Sequence, residues 1–461
     1  MTACYTEEPE EELNGYRDYS ITPLLKKRAV VRLYCRDASG KRYMISDWRG
    51  TFKPYHYVPS RSDNKEGIID YLGRFVKKQF TDLPRNVATE RDSGSFKFTD
   101  ESNILFEQRF LIDKKIKCGL YVHLNPPQPA RLEPAPDLEI QPRRLYYDSE
   151  WSAKGDLSIK EPQYPCCLIT DYDSYSHNLT AFLHRPNLIR VKELNQVVAR
   201  VIKVWELEMN QWERTVLKLP DSELSKVDII PCPNEFQTIN LWVNHVTEVD
   251  PDQLIGHNAD RFDFPILWNR CREKKWWGIM RKLSPVGEVR LRGDYPSIKG
   301  REHIDFCGSK EKHDGLYTNF TVQETDIDSL TLGNLAEHEL GYKYRFGKLG
   351  AKTFDLWHSE NPDDIFKLLW YGLEDAWVMP RIDVKKGMSD RYEVFRKIYG
   401  CTAKDALANS RFIGIGALRL TDKPLPYRPR EKGDKKRKKK QIEGAIVIRP
   451  RAGIHGMLKD E

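Results

Sequence analysis

Residues 144–150 read Arg-Leu-Tyr-Tyr-Asp-Ser-Glu. The apolar and aromatic run predicts a buried strand, and a strand projects residues i and i+2 from the same face. Asp148 and Glu150 therefore stand side by side at its end. Their repulsion has to be offset by solvent or by a cation, so the strand ends at the surface or in a site. The pair alone does not choose between these, because Asp-x-Glu is a common triplet.

At 461 residues the chain is long enough for two or three cores. Its 39% hydrophobic and 11% aromatic content is that of a globular protein. No apolar run approaches the roughly 18 residues that span a bilayer. The acidic start, MTACYTEEPEEELNG, lacks the apolar stretch of a signal peptide. A cytoplasmic, nucleoid-associated protein with no membrane partner is the expectation. Nine cysteines without a Cys-x-x-Cys pair predict free thiols and support neither a disulfide framework nor a zinc site. The net charge of +7 includes the run KKRKKK at 435–440. That run reads either as a solvated charge cluster or as a loop lying on nucleic-acid backbone.

Turn signals at DASGK separate two apolar segments within 29–60 and predict a hairpin leading into FKPYHYV. Residues 68–80 place Ile68, Ile69, Leu72, Phe75 and Val76 on one helical face and predict a helix. Prolines crowd 125–142, which reads as a linker with a boundary near 140. From 141 strands and helices interleave. RLYYDSE and YPCCLITDYD read as neighbouring strands, 236–249 as a helix stopped at Asp250-Pro251, and QLIGHN as a short strand. Asn361 and Pro362 open another helix. Beyond 388 the pattern is irregular and basic. The predicted organisation is an α+β domain over 1–140, an α/β domain over 141–387, and a connector over 388–461 with a basic loop at 428–440.

Two further segments carry acids. LIGHNADRFDFPIL (254–267) sets Asp263 between Phe262 and Phe264, where an unpaired carboxylate is costly to bury. A helix N-cap is the plain alternative. In the helix after Asn361, Tyr371 and Asp375 are spaced i, i+4 and share a face. An exposed pair on an amphipathic helix is the plain alternative there. Taken together, Asp148, Glu150, Asp263 and Asp375, without a histidine cluster, suit hard cations such as Mg²⁺ or Mn²⁺. Two such ions about 3.5–4 Å apart can activate water and stabilise the leaving oxygen of a phosphodiester.

Asp-x-Glu, Asn-x-x-x-Phe-Asp and Tyr-x-x-x-Asp, in this order, resemble the three exonuclease motifs of family B DNA polymerases. The intervening segments KLSPVGEV (282–289), GREHIDF (300–306) and TLGNLAEHELGYK (331–343) resemble its exonuclease domain. FKPYHYV and RFLIDK (109–114) resemble its N-terminal domain, and EGAIVIRPRAG (443–453) the approach to its palm. The resemblance implies a ribonuclease H-like proofreading domain that removes 3′-terminal nucleotides from single-stranded DNA. It implies that Asp148, Glu150, Asp263 and Asp375 hold two Mg²⁺ ions (or Mn²⁺) and that Tyr371 orients the attacking water. Trp370, five residues before Asp375, excludes the histidine variant of this site. Asn258 and Phe262 would line the terminal nucleotide, with Arg261, Lys435, Lys436 and Arg437 as further DNA contacts.

Three departures stand out. Trp151 replaces a small residue after Glu150 and is expected to alter substrate access. Ile442 replaces the tyrosine of a template-contacting segment. No Asp-x-x-Ser-Leu-Tyr-Pro or Asp-Thr-Asp palm motif occurs, so DNA synthesis on a primer–template is expected to need a second polypeptide with palm and thumb. The alternatives are a stand-alone exonuclease, or a non-catalytic DNA-binding and template-surveillance module in which Pro54 marks a uracil pocket.

Overall fold

The computed structural model describes residues 27–427 apart from 47–51, 63, 124–130, 139, 293–294, 310–313, 322–326, 328, 348 and 350–351, with the backbone alone at 2–9, 292, 403–404 and 409. The basic loop with Lys435, Lys436 and Arg437, and the segment with Ile442, lie outside the described residues.

Strands β1 (Thr2–Pro9), β2 (Lys27–Arg36) and β3 (Arg42–Ser46) form an antiparallel sheet, and the β2–β3 pair is the predicted hairpin. Next, β4 (Tyr55–Pro59), β5 (Ile68–Ile69) and β6 (Phe75–Phe80) form a second sheet in the order β4-β6-β5. Residues 68–80 are thus a hairpin and not the predicted helix. Asp70 Oδ1 accepts from the amides of Leu72 (2.9 Å) and Arg74 (2.7 Å), and Gly73 takes φ +80°. This side-chain turn competes with helix nucleation and reverses the chain. The proline-rich linker also holds a strand: β8 (Arg131–Pro134) pairs with β7 (Leu120–His123), and Leu132 packs against the N-terminal core.

The next strands are β9 (Arg144–Trp151), β10 (Cys166–Asp173), β11 (Asn178–His184), β12 (Lys226–Cys232), β13 (Gln253–Gly256), β14 (Val289–Arg292), β15 (Tyr295–Ile298) and β16 (Glu302–Asp305). Six of them make one mixed sheet in the order β12-β11-β10-β9-β13-β16, antiparallel through β9, β10 and β11 and parallel elsewhere. Alternation along β9 divides two cores. Tyr146 joins the core beneath the long helix Pro362–Lys386, while Leu145 and Tyr147 join the core that includes helices Glu235–Val249 and Asp263–Glu273. Asn361 caps the long helix through its side chain to the Asp363 amide at 3.0 Å, Pro362 occupies the first turn, and Gly387 ends it at φ +60°.

Among the described residues beyond 388, up to 427, the irregular reading does not hold. Helices Met388–Tyr399 and Asn409–Leu420 follow, and Met388, Tyr392, Phe412 and Ile415 are buried in the first core. Met388, Tyr392, Phe395 and Tyr399 recur at helical spacing, a periodicity hidden by the charged residues between them. The N-terminal hairpin is joined to the large sheet by ion pairs: Arg36 to Asp252 (2.6 Å), and Arg42 to Asp250 (2.8 Å), which also pairs with Arg301 (2.7 Å). The described cysteines are all free thiols, as expected. Among the described residues no helix is long and apolar enough to cross a membrane.

Candidate active site

Strand alternation places Asp148 and Glu150 on the same side of β9 as Tyr146, facing the long helix. That helix delivers Asp375. One carboxylate oxygen from each of Asp148, Glu150 and Asp375 lies within 4.8 Å of the others. Asp148 and Glu150 are half-buried and Asp375 is buried. Burial raises the Asp148 carboxyl well above the usual carboxylate range, with Asp375 adding to the rise. Burial does the same to Glu150, reinforced by Asp148 and Asp375, and it also raises Asp375. Three acids this close favour a bound cation over three separate charges. The donor set is all oxygen, which fits Mg²⁺ or Mn²⁺.

Asp263 arrives from the other side of the sheet. It opens the helix Asp263–Glu273, whose Phe264, Ile266 and Leu267 are buried in the second core. Its Oδ1 accepts from the Ser149 amide (3.1 Å) and hydroxyl (2.6 Å). Burial first, and Asp148 second, raise its carboxyl. The structure therefore brings three of the four acids together and ties the fourth to the residue between Asp148 and Glu150. Trp151 corrects the expectation about access. It is buried in the second core, and its indole N–H donates to Ser149 Oγ at 3.1 Å, so it backs the site and does not stand at its mouth.

The loop between β13 and this helix carries the remaining predicted residues. Asn258 is exposed and adopts φ +59°, a conformation asparagine tolerates. Its amide donates to Asp305 Oδ1 at 3.1 Å, and Asp305 also accepts from the amides of Asp260, Cys307 and Gly308. His303 bridges Asp260 (2.8 Å) and the Tyr147 hydroxyl (2.7 Å). Phe262 is half-buried against the second core. Arg261, predicted to contact DNA, is held by Asp314 at 2.8 Å.

Tyr371 is half-buried one helical turn before Asp375, whose charge, with burial, raises its phenol. A second phenol was not anticipated from the sequence: Tyr344 donates to Asp375 Oδ1 at 2.7 Å. Tyr344, Tyr371 and Asp375 line a cavity of about 340 Å³ together with Asn334, Glu337 and Lys343. Ser149, His303, Asp305 and Thr353, whose hydroxyl donates to Glu150 at 3.4 Å, also escaped the sequence reading. His303-Ile304-Asp305 did carry a signal, since polar residues alternate with apolar ones in a strand that is buried throughout.

The model of the DNA polymerase family B exonuclease domain matches residues 190–309. Over this segment the chain is similar to the exonuclease domain of family B DNA polymerases. A DNA polymerase of Archaeoglobus fulgidus is 24% identical over 93% of this chain and 49% of its own length. The DNA polymerase delta catalytic subunit of Oryza sativa subsp. japonica is 24% identical over 87% of this chain and 36% of its own. A solved family B DNA polymerase from the hyperthermophilic archaeon Pyrobaculum calidifontis shares the fold, with a TM-score of 0.60 and 17% identity over 91% of this chain and 49% of that one. The chain thus spans about half or less of the length of these family B relatives. The mixed six-stranded sheet is consistent with the ribonuclease H-like fold of the family's exonuclease domain. The matched segment includes Asn258, Phe262 and Asp263, while Asp148, Glu150, Tyr371 and Asp375 lie outside it.

Proposed function

We propose that this chain is the proofreading portion of a family B polymerase and hydrolyses the 3′-terminal phosphodiester of single-stranded DNA. The observation that carries this reading is the convergence of Asp148, Glu150 and Asp375 within 4.8 Å, beside a tyrosine on the same helix face. Asp148, Glu150 and Asp375 would hold one divalent ion, and Asp148 with Asp263 a second. Bound there, such ions supply Lewis acidity and neutralise charge on the scissile phosphate. The Tyr371 hydroxyl would orient the attacking water, and burial of the acids would keep bulk water from competing. Exposed Asn258 and half-buried Phe262, at the loop before Asp263, would receive the terminal nucleotide. Such a site needs a frayed end, because paired bases are stacked out of reach.

Within the same proposal, DNA synthesis draws on the carboxylates of a polymerase palm, and this chain works beside a palm- and thumb-bearing portion. The protein would work inside the cell, with the DNA it edits. The test is Mg²⁺-dependent release of mononucleotides from a 3′-labelled oligonucleotide. Wild type is expected to trim and Asp148→Ala to lose trimming while melting as a folded protein. Equal trimming by both proteins would reject the site.

A further inference from the structure

We infer that Tyr344 is a positioning residue that fixes the Asp375 carboxylate for cation binding; the inference rests on the exonuclease reading above. Tyr342 and Tyr344 follow a helical turn that ends at Gly341, φ +68°. Burial alternates along this segment: Tyr342 is buried, Lys343 exposed, Tyr344 half-buried and Arg345 exposed. Both phenols turn toward the long helix and meet consecutive acids there. Tyr342 donates to Glu374 Oε1, to which the Arg345 amide also donates at 3.0 Å, and Tyr344 donates to Asp375 Oδ1. A Tyr-x-Tyr segment thus grips a Glu-Asp pair, one phenol to each carboxylate.

Asp375 has two phenol neighbours with different mechanical standing. Tyr371 sits on the same helix and moves with Asp375. Tyr344 comes from a separate segment, with its ring centroid 5.8 Å from that of Tyr371. A hydrogen bond from outside the helix limits rotation of the carboxylate relative to Asp148 and Glu150, which ride on a strand. Hydrogen bonds of this kind set the orientation of metal-binding side chains, and their loss typically lowers metal affinity about 10- to 100-fold. Both phenols interact with Asp375, and Tyr344 is the one that reaches it from outside the helix. The Tyr-x-x-x-Asp motif includes Tyr371 and does not reach Tyr344.

The test compares the full chain with Tyr344→Phe, which removes the hydroxyl and keeps the ring. Mn²⁺ alone is titrated by calorimetry, melting is followed by circular dichroism, and trimming of a single-stranded oligonucleotide is measured across Mg²⁺ concentrations. Tyr344→Phe is expected to weaken Mn²⁺ binding on the order of 10-fold, to melt near wild type, and to recover trimming as Mg²⁺ is raised. Tyr371→Phe is expected to slow trimming at every Mg²⁺ concentration, without the recovery at high Mg²⁺ that marks Tyr344→Phe. Wild-type Mn²⁺ affinity in Tyr344→Phe overturns the inference, as does melting far below wild type, which marks a structural role. A wild-type chain that binds Mn²⁺ yet trims nothing overturns the exonuclease reading, and the binding comparison still decides Tyr344. A wild-type chain that binds no Mn²⁺ overturns both.

Discussion

Gly372 lies directly on Leu168: a β-carbon at residue 372 would come within 2.5 Å of Leu168 Cδ2 and 3.2 Å of Thr170 Cγ2. The Thr170 hydroxyl donates to the Gly372 carbonyl at 2.8 Å, so strand β10 and the long helix touch backbone to side chain at this point. Tyr371 precedes this contact and Asp375 follows it by three residues. The closeness of the helix to the sheet therefore sets how near Asp375 comes to the acids of β9.

Gly372→Ala is expected to push the helix outward. Overpacking of this kind typically costs about 1–3 kcal/mol. Urea denaturation reads the stability loss. Trimming of single-stranded DNA should fall by more than the stability loss alone explains, because Asp375 moves away from Asp148 and Glu150. Wild-type stability in this variant would show that the contact is loose.

Ser149 holds Asp263 and also accepts from Trp151, so Ser149→Ala leaves the indole N–H without that acceptor. Leaving a buried donor unpaired costs about 1–3 kcal/mol. Mn²⁺ binding should weaken as well, because Asp263 keeps only the Ser149 amide. Trp151→Phe is the contrast: its ring faces the second core, so it should lower the melting temperature and leave the trimming rate within about twofold. A large rate change in Trp151→Phe would restore the idea that residue 151 controls substrate access.

What the sequence disclosed and what it hid follow from the range of the interactions. Strand β9 with Asp148 and Glu150, and the capped helix carrying Tyr371 and Asp375, were legible because period-2 and period-3.6 patterns and an Asn-Pro start are local signals. The 68–80 hairpin was misread because five apolar residues happen to fit a helical face, while one aspartate and one glycine decide the turn. Ser149 and Tyr344 were not legible as site residues, since each acts across a separation of tens to more than a hundred residues, whereas His303 and Asp305 left only the alternation of their strand as a signal. Trp151 was misplaced because its neighbour Glu150 faces the cleft, and strand alternation turns the next side chain the other way.

Asp305 offers a pH test away from the acids proposed to bind metal. Burial pushes its carboxyl up to about 6, with Asp260 adding to the rise. The unfolded value lies near 4, so the native state binds the extra proton between these limits. Stability from this group is fully present below about pH 4 and is lost as pH rises through about 6, to the extent of roughly 3 kcal/mol at most. Asp305→Asn cannot titrate. The difference in unfolding free energy between the two proteins, measured at pH 4 to 7, should therefore change in favour of the variant as pH rises. A difference that stays constant over this range would mean that Asp305 remains charged throughout, held by the four amides it accepts from.

Arg261, read from the sequence as a DNA contact, lies in the loop before Asp263, where its guanidinium is engaged by Asp314 at 2.8 Å. The two side chains are 31% and 26% exposed, and ion pairs at this exposure contribute about 0–1 kcal/mol. The pair is thus weak enough for a phosphate to compete with it. If Arg261 reaches the backbone of a bound strand, it must first leave Asp314, and the carboxylate acts as a brake on binding. Asp314→Ala removes that brake. It is expected to tighten binding of a single-stranded oligonucleotide several-fold at low salt, because no ion pair has to break before the phosphate contact forms. Arg261→Ala should weaken binding and flatten the slope of log K against log salt by about 0.7, through the loss of one phosphate contact. The double variant should match Arg261→Ala, since without the guanidinium there is nothing for Asp314 to restrain. Tighter binding in the double variant than in Arg261→Ala would mean that Asp314 repels DNA directly and does not act through Arg261.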